Sequence, residues 1–182
     1  ALQSLEYALI MAPGAPLKQA LSVAGIGTDV YRVLETSVYQ PVYSIITKNA
    51  NESDRDRFVK VVEDTLSDIV KNGLSKRMVK AGINYYEFKY READFGPYPK
   101  GLMYYLTMMD SWLYDENKPF VHVEAGETFE IIKKNSEKGF FEKFIEDNII
   151  NNNHEVVLSL VPKHGLAEEK EAKEAEKLAR YN

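Results

Sequence analysis

Three histidines, His122, His154 and His164, are the side chains best suited to hold a metal or move a proton near neutral pH. Zinc peptidase chemistry needs two of them one helical turn apart, with a glutamate between them to activate water. His154 and His164, the nearest pair, are ten residues apart, and neither His-Glu-x-x-His nor the inverted His-x-x-Glu-His occurs. His122-Val123-Glu124 would set two donors on one face of a strand, but two ligands without a third make a poor site. His154, entering an apolar run, reads as a turn residue bonded to backbone. The chain has no cysteine, so a thiolate nucleophile and thiolate metal ligands are excluded. No Gly-x-Ser-x-Gly elbow is present, and although a Ser-His-Asp triad could assemble in space, nothing favours one. Glu87 and Arg91, with Glu92 and Asp94 beside them, are spaced i, i+4 and read as a helix-surface ion pair. Gly25-Ile26-Gly27 follows a helix, whereas a phosphate-binding glycine loop follows a strand and opens a helix, so it reads as a helix stop. We therefore expect no catalytic and no metal-binding residue in this chain.

The remaining chemistry is adhesive. Twelve Tyr and eight Phe supply large, rigid contact area. Core packing accounts for most of them. The best candidates for a face that packs on something else, or on a peptide, are Tyr104, Tyr105, Met108, Met109 and Trp112.

These residues sit on the third of a series of helices. Leu102 to Tyr114 is apolar nearly all the way round, which predicts a helix covered on more than one side. Before it, Phe58, Val61, Val62, Thr65, Leu66, Ile69 and Val70 form one stripe, with Ser53 as N-cap and Gly73 as stop. Ser75 caps the next helix, which carries Met78, Val79, Ile83, Tyr86 and Tyr90 and is expected to run to about Phe95-Gly96. Upstream, Leu17 to Ala24 predicts a helix. Val30 to Tyr39 and Val42 to Thr47, flanking Gln40-Pro41, predict two strands. Shorter helices are expected near Glu127 to Lys134 and Phe140 to Ile150, then a buried strand over Glu155 to Val161. The predicted class is α+β: a small antiparallel sheet of about three strands under a layer of helices. From Leu166 the chain turns into Glu, Lys and Ala with almost no apolar stripe, a solvated helix.

At 182 residues the chain fits one domain, or one domain plus an appendage, and its 45% apolar and 28% charged side chains are those of an ordinary globular protein. A net charge of −5 argues against nucleic acid or an anionic membrane as the main partner. No apolar run approaches the length of about 20 residues that spans a bilayer. The absence of cysteine fits the cytoplasm or another reducing compartment. The opening Ala1-Leu2-Gln3-Ser4 has no basic n-region and reads as the interior of a longer chain entered part-way through a helix.

Several stretches occur in an order and spacing that resemble one family. They are Ala15-Pro16-Leu17 to Ala24-Gly25-Ile26-Gly27, Gln40-Pro41-Val42-Tyr43-Ser44-Ile45, Arg91-Glu92, and Phe95-Gly96-Pro97-Tyr98-Pro99-Lys100-Gly101-Leu102. Trp112-Leu113-Tyr114-Asp115, Asn152-Asn153-His154-Glu155-Val156 and Val161-Pro162 complete the set. Together they resemble the presequence-protease (falcilysin-like) subfamily of the pitrilysin/insulinase zinc metallopeptidases, at the end of its second, non-catalytic domain. The family often has Pro where Asn153 stands here. The resemblance implies that residues 1–165 are the C-terminal part of a non-catalytic α+β domain, and that 166–182 begin a helical-hairpin linker. It also implies that the zinc belongs to another domain of a parent enzyme, that unstructured peptides are the parent's substrate, and that this segment is inactive chamber wall. Its partners would be the remaining domains of the same chain. The alternative is a free-standing interaction module using an aromatic face and the charged helix. Either way, a severed sheet and an uncovered helix lead us to expect self-association of the isolated chain, as a homodimer.

Overall fold

Glycines at two close approaches fix how the main elements meet in the computed structural model, which describes residues 1–36 and 38–180. Helix α1 (Leu2–Glu6) runs into a wide turn, Tyr7–Met11, closed by an i→i+5 bond from Ala12 N to Tyr7 O of 2.8 Å. The widening sends Ala8, Leu9 and Ile10 in succession into the core. Helix α4 (Lys76–Glu92) lies against α1, and Gly82 makes the contact possible, because a Cβ there would sit 2.6 Å from Ser4 O. Helix α2 (Pro16–Val23) starts with proline at its first position and ends at Gly25, whose φ is +68°. Gly27 then passes so close to the neighbouring strand that a Cβ would lie 2.6 Å from Lys48 O, at a φ of +69°.

Strand β1 (Asp29–Glu35) pairs antiparallel with β2 (Val42–Lys48), Arg32 opposite Ile45 and Leu34 opposite Tyr43. Val30, Arg32, Tyr43 and Ile45 face the helices, while Tyr31, Val33 and Ile46 face outward and are exposed. The first strand stops at Glu35 rather than Tyr39, and Ser37, within the predicted strand, lies outside the described residues. Helix α3 (Arg55–Asn72) buries Leu66 and Ile69 and ends at Gly73. Its entry is capped earlier than Ser53: Asn51 donates to Asp54 Oδ2 through its backbone N–H (3.3 Å) and its side-chain amide (3.2 Å), leading a single 3₁₀ turn, Glu52–Asp54. Ser75 precedes α4 as expected, but α4 ends at Ala93, in the left-handed conformation, before Phe95-Gly96.

Helix α5 (Lys100–Trp112) follows, then α6 (Gly126–Ser136), α7 (Phe140–Ile145) with a second wide turn over Glu146–Ile150, and α8 (Leu166–Ala179). Tyr181 and Asn182, the end of the predicted linker segment, lie outside the described residues. One core joins α1, α2, α3, α4, α6 and α7 to the inner face of the hairpin. Its fully buried members include Leu5, Leu9, Leu17, Leu21, Ile83, Phe141 and Ile145.

The fold is α+β, with two strands rather than three. The predicted strand over Glu155 to Val161 is neither helix nor paired strand among the described residues, and it is not buried. Val156, Leu158 and Leu160 are 75%, 83% and 98% exposed, and the nearest polar tie is Arg55 Nη2 to Val157 O at 3.5 Å. A strand needs a neighbour's backbone, and neither β1 nor β2 supplies one here. The expectation that α5 is covered on more than one side also fails within this chain, since α5 buries no residue.

Candidate functional site

Helix α5 begins after Pro97 and Pro99, and Lys100 Nζ donates to Glu92 O (3.1 Å), tying it to the end of α4. At about 100° per residue, Tyr104, Tyr105, Met108, Met109 and Trp112 fall within an arc of about 140°. Tyr104 turns inward and meets Phe95 edge-to-face, ring centroids 5.3 Å apart. Met108 and Met109 are half-buried, while Tyr105 and Trp112 are exposed. The five therefore share a helix face without forming an enclosed site. Leu102, Leu106 and Leu113 extend the apolar band and are as exposed as the aromatics. Their i, i+4, i+11 spacing is the signal that would have added them.

Around this helix Phe88, Tyr98, Tyr114, Phe120 and Val121 are also exposed. A shallow cleft of about 350 Å³ opens beside it, lined by Phe88, Glu92, Asp94, Phe95, Tyr98 and Lys100. The helix face is apolar, while the cleft beside it mixes aromatic rings with the charges of Glu92, Asp94 and Lys100. It can bury area against a partner, but it offers no paired nucleophile and base.

The charged cluster on α4 is structural. Glu87 accepts from Arg91 Nη2 at 2.6 Å, as the spacing predicts, and its other oxygen takes Lys133 Nζ of α6 at 2.7 Å. The Lys133 hydrogen bond, with help from Arg91, holds the Glu87 carboxyl below the ordinary carboxylate range. The α6 partner was not legible, because the two residues are far apart in sequence.

The histidines do not converge. Tyr90 donates its hydroxyl to His122 O, and the backbone N–H of His154 donates to Asn152 Oδ1 at 2.9 Å. Among the described residues no three His, Asp or Glu side chains are grouped so as to hold a metal ion. None of the described helices is long and apolar enough to cross a membrane.

One polar cluster escaped sequence reasoning. Glu6 is 3% exposed; its Oε1 accepts from the Tyr86 hydroxyl and is ion-paired with Arg32 Nη2 at 3.2 Å. Arg32 Nη2 also donates to Met11 Sδ at 3.1 Å. Tyr43 and Tyr86 are both pushed far above the ordinary phenol range, chiefly by burial and then by Glu6. The cluster ties α1, the hairpin and α4 together. No sequence pattern marks Glu6, a lone carboxylate in a short, mostly apolar stretch, where a charged side chain reads as the one that faces solvent.

No family model matches this sequence. Over 174 residues it is 45% identical to Protein HypA of Clostridium perfringens (strain 13 / Type A), covering 96% of this chain and 18% of that protein. It is 29% identical over 179 residues to Presequence protease 1, chloroplastic/mitochondrial, of Arabidopsis thaliana, covering 96% and 16%. It is 24% identical over 183 residues to Presequence protease, mitochondrial, of Mus musculus, covering 97% and 17%. The chain thus spans less than a fifth of the length of these curated relatives, and its likeness to the presequence proteases runs through nearly all of it.

Proposed function

We propose that this chain is a non-catalytic segment of a zinc-dependent, peptide-degrading metalloendopeptidase of the pitrilysin/insulinase type, forming part of the wall of its substrate chamber. The observation that carries this reading is a likeness of almost the full chain to about a sixth of two presequence proteases. The apolar face of α5 and the unpaired run Val156 to Val161 support it, since both have the character of surfaces completed by neighbouring domains. The parent's zinc would be held elsewhere: the residues of this segment do not fit a metal, having no convergent donor set among those described. No step of peptide hydrolysis is routed through them. The role left to this segment is to position the domains that close around an unstructured peptide.

The test compares the full reading frame with residues 1–182 alone. The full protein is expected to cleave an unstructured peptide and to lose that activity to a chelator. The isolated chain should bind no stoichiometric zinc and cleave nothing. Chelator-sensitive cleavage by the isolated chain would overturn the proposal. A reading frame that proved to contain only this chain would favour the free-standing interaction module, for which the same α5 face would be the binding surface.

A further inference from the structure

We propose that Glu6, Arg32 and Tyr43 together bind one buried water molecule, which completes the joint between α1, the β-hairpin and α4. This inference is independent of the peptidase reading. Glu6 is sealed from solvent, and its Oε1 is fully used by Arg32 and Tyr86. Three further polar atoms of the same cluster are buried without a protein partner: Glu6 Oε2, Arg32 Nε and the Tyr43 hydroxyl. Buried polar atoms rarely stay unpaired, because each forfeits the hydrogen bonds it made with water in the unfolded chain.

The hairpin register brings two of the three, Arg32 and Tyr43, into one neighbourhood. Arg32 is opposite Ile45 and Tyr43 is opposite Leu34, so Arg32 and Tyr43 are diagonal neighbours on the inner face. Such diagonal positions are about 7–8 Å apart, too far for direct backbone-level contact but within the reach of two long side chains. Arg32 Nη2 lies 3.2 Å from Glu6 Oε1, which brings Glu6 to the same inner face, and the action of both charges on the Tyr43 hydroxyl agrees with that placement.

The chemistry of the three atoms selects the occupant. Arg32 Nε can only donate, a Glu6 carboxylate oxygen can only accept, and the Tyr43 hydroxyl can do either. The charges of Glu6 and Arg32 already offset each other. An added anion or cation would gain nothing net from this neutral pair and would leave one buried charge uncompensated, at a large desolvation cost. The occupant must therefore be neutral, accept from Arg32 and donate to Glu6. Water does both, and its third bond to Tyr43 brings it to the usual number for a buried water.

The proposal sets the sign of a conservative substitution. If Tyr43 bonds a held water, Tyr43→Phe removes a made hydrogen bond and lowers the melting temperature of the 182-residue chain by about 2–4 °C. If the hydroxyl has no partner, the same change removes a buried orphan and leaves the melting temperature unchanged or raises it. A high-resolution crystal structure of the unsubstituted chain supplies the second readout. It should show density within hydrogen-bond reach of Glu6 Oε2, Arg32 Nε and Tyr43 Oη. Absence of that density, or a Tyr43→Phe variant as stable as the parent or more so, overturns the proposal.

Discussion

Residues 1–93 with 129–145 and the two stretches 94–128 and 146–180 have similar apolar side chains and opposite fates. Every buried residue belongs to the first set; no residue from Asp94 to Thr128, and none from Glu146 to Arg180, is buried. Phe141 is 1% exposed, whereas Leu160, as hydrophobic a residue type, is 98% exposed. The difference is not composition but company. Helices α1 to α4, α6 and α7 find faces within the chain, while among the described residues α5 is only partly covered and the run after Asn151 buries nothing. Hydrophobicity states that a surface needs covering, and only topology says whether this chain provides the cover.

The sharpest way to break that contrast is a pair of truncations. Phe141→Ala should cost about 3–5 kcal/mol, as expected for a large aromatic removed from a packed core. Leu160→Ala should change stability by less than about 0.5 kcal/mol. Denaturant unfolding of the two variants measures both. Equal losses would mean that the peripheral run is covered after all.

A backbone probe of the body comes next. Gly27→Ala places a Cβ 2.6 Å from Lys48 O at a φ of +69°. The left-handed backbone alone costs a non-glycine residue about 1–2 kcal/mol, and the clash adds to it. We expect a loss of at least about 2 kcal/mol in the same assay, with Gly25→Ala milder because nothing lies within 4 Å of its Cβ. A Gly27→Ala variant no worse than Gly25→Ala would show that the α2–hairpin joint gives way easily.

The periphery should instead matter for association. We expect the isolated chain to dimerise with rising concentration, and Leu106→Glu on α5 to weaken that by about a hundredfold or more, since a homodimer loses two buried leucines, each worth about tenfold or more. Light scattering across a dilution series measures it, and the variant should melt with the parent. Association untouched by this substitution would point away from α5 and towards the outer face of the hairpin or the run from Val156.

Between body and surface stands the Glu87–Lys133 pair joining α4 to α6. The Glu87 carboxyl titrates below its ordinary value of 4.5, so its contribution is fully present above that pH and fades as pH falls through the depressed value. Glu87→Gln should lower the melting temperature by about 2 °C at neutral pH, in keeping with a partly buried pair, and by less at a pH below that titration. Equal shifts at both pH values would assign the effect to packing rather than charge.

Local rules carried much of the fold. The stripe from Phe58 to Val70, the Gly25 and Gly73 stops, the hairpin about Gln40-Pro41 and the Glu87–Arg91 pair were legible because each depends on residues a few positions apart. The Asn51 cap displaced Ser53 because a short 3₁₀ turn before α3 moved the helix start, which no stripe of apolar residues reveals. The strand expected over Glu155 to Val161 failed because pairing is a property of two segments. The aromatic face of α5 was legible, and legible as a face that packs on something else, because a helix apolar on nearly every side needs more cover than its chain neighbours give. The Glu6 cluster was invisible. Its members come from α1, both strands and α4, and only the assembled core makes their burial meaningful.

The smallest expected effect lies in α8, where the contrast is most extreme. This helix buries nothing, and its order rests on ion pairs such as Glu169 with Lys163 (2.6 Å) and Lys173 (2.7 Å), and Arg180 with Glu176 (2.6 Å). Glu169 is the hub, since its carboxylate takes two lysines, whose hydrogen bonds hold it below its ordinary range. Exposed pairs of this kind are screened by salt and fall within the noise of a global unfolding measurement. Glu169→Gln should therefore leave the melting temperature of the chain unchanged while speeding amide exchange within 166–179, and added salt should do the same to the unsubstituted chain. A fall in the melting temperature would mean that α8 is coupled to the body, and the division drawn here between covered and uncovered segments would have to move past residue 166.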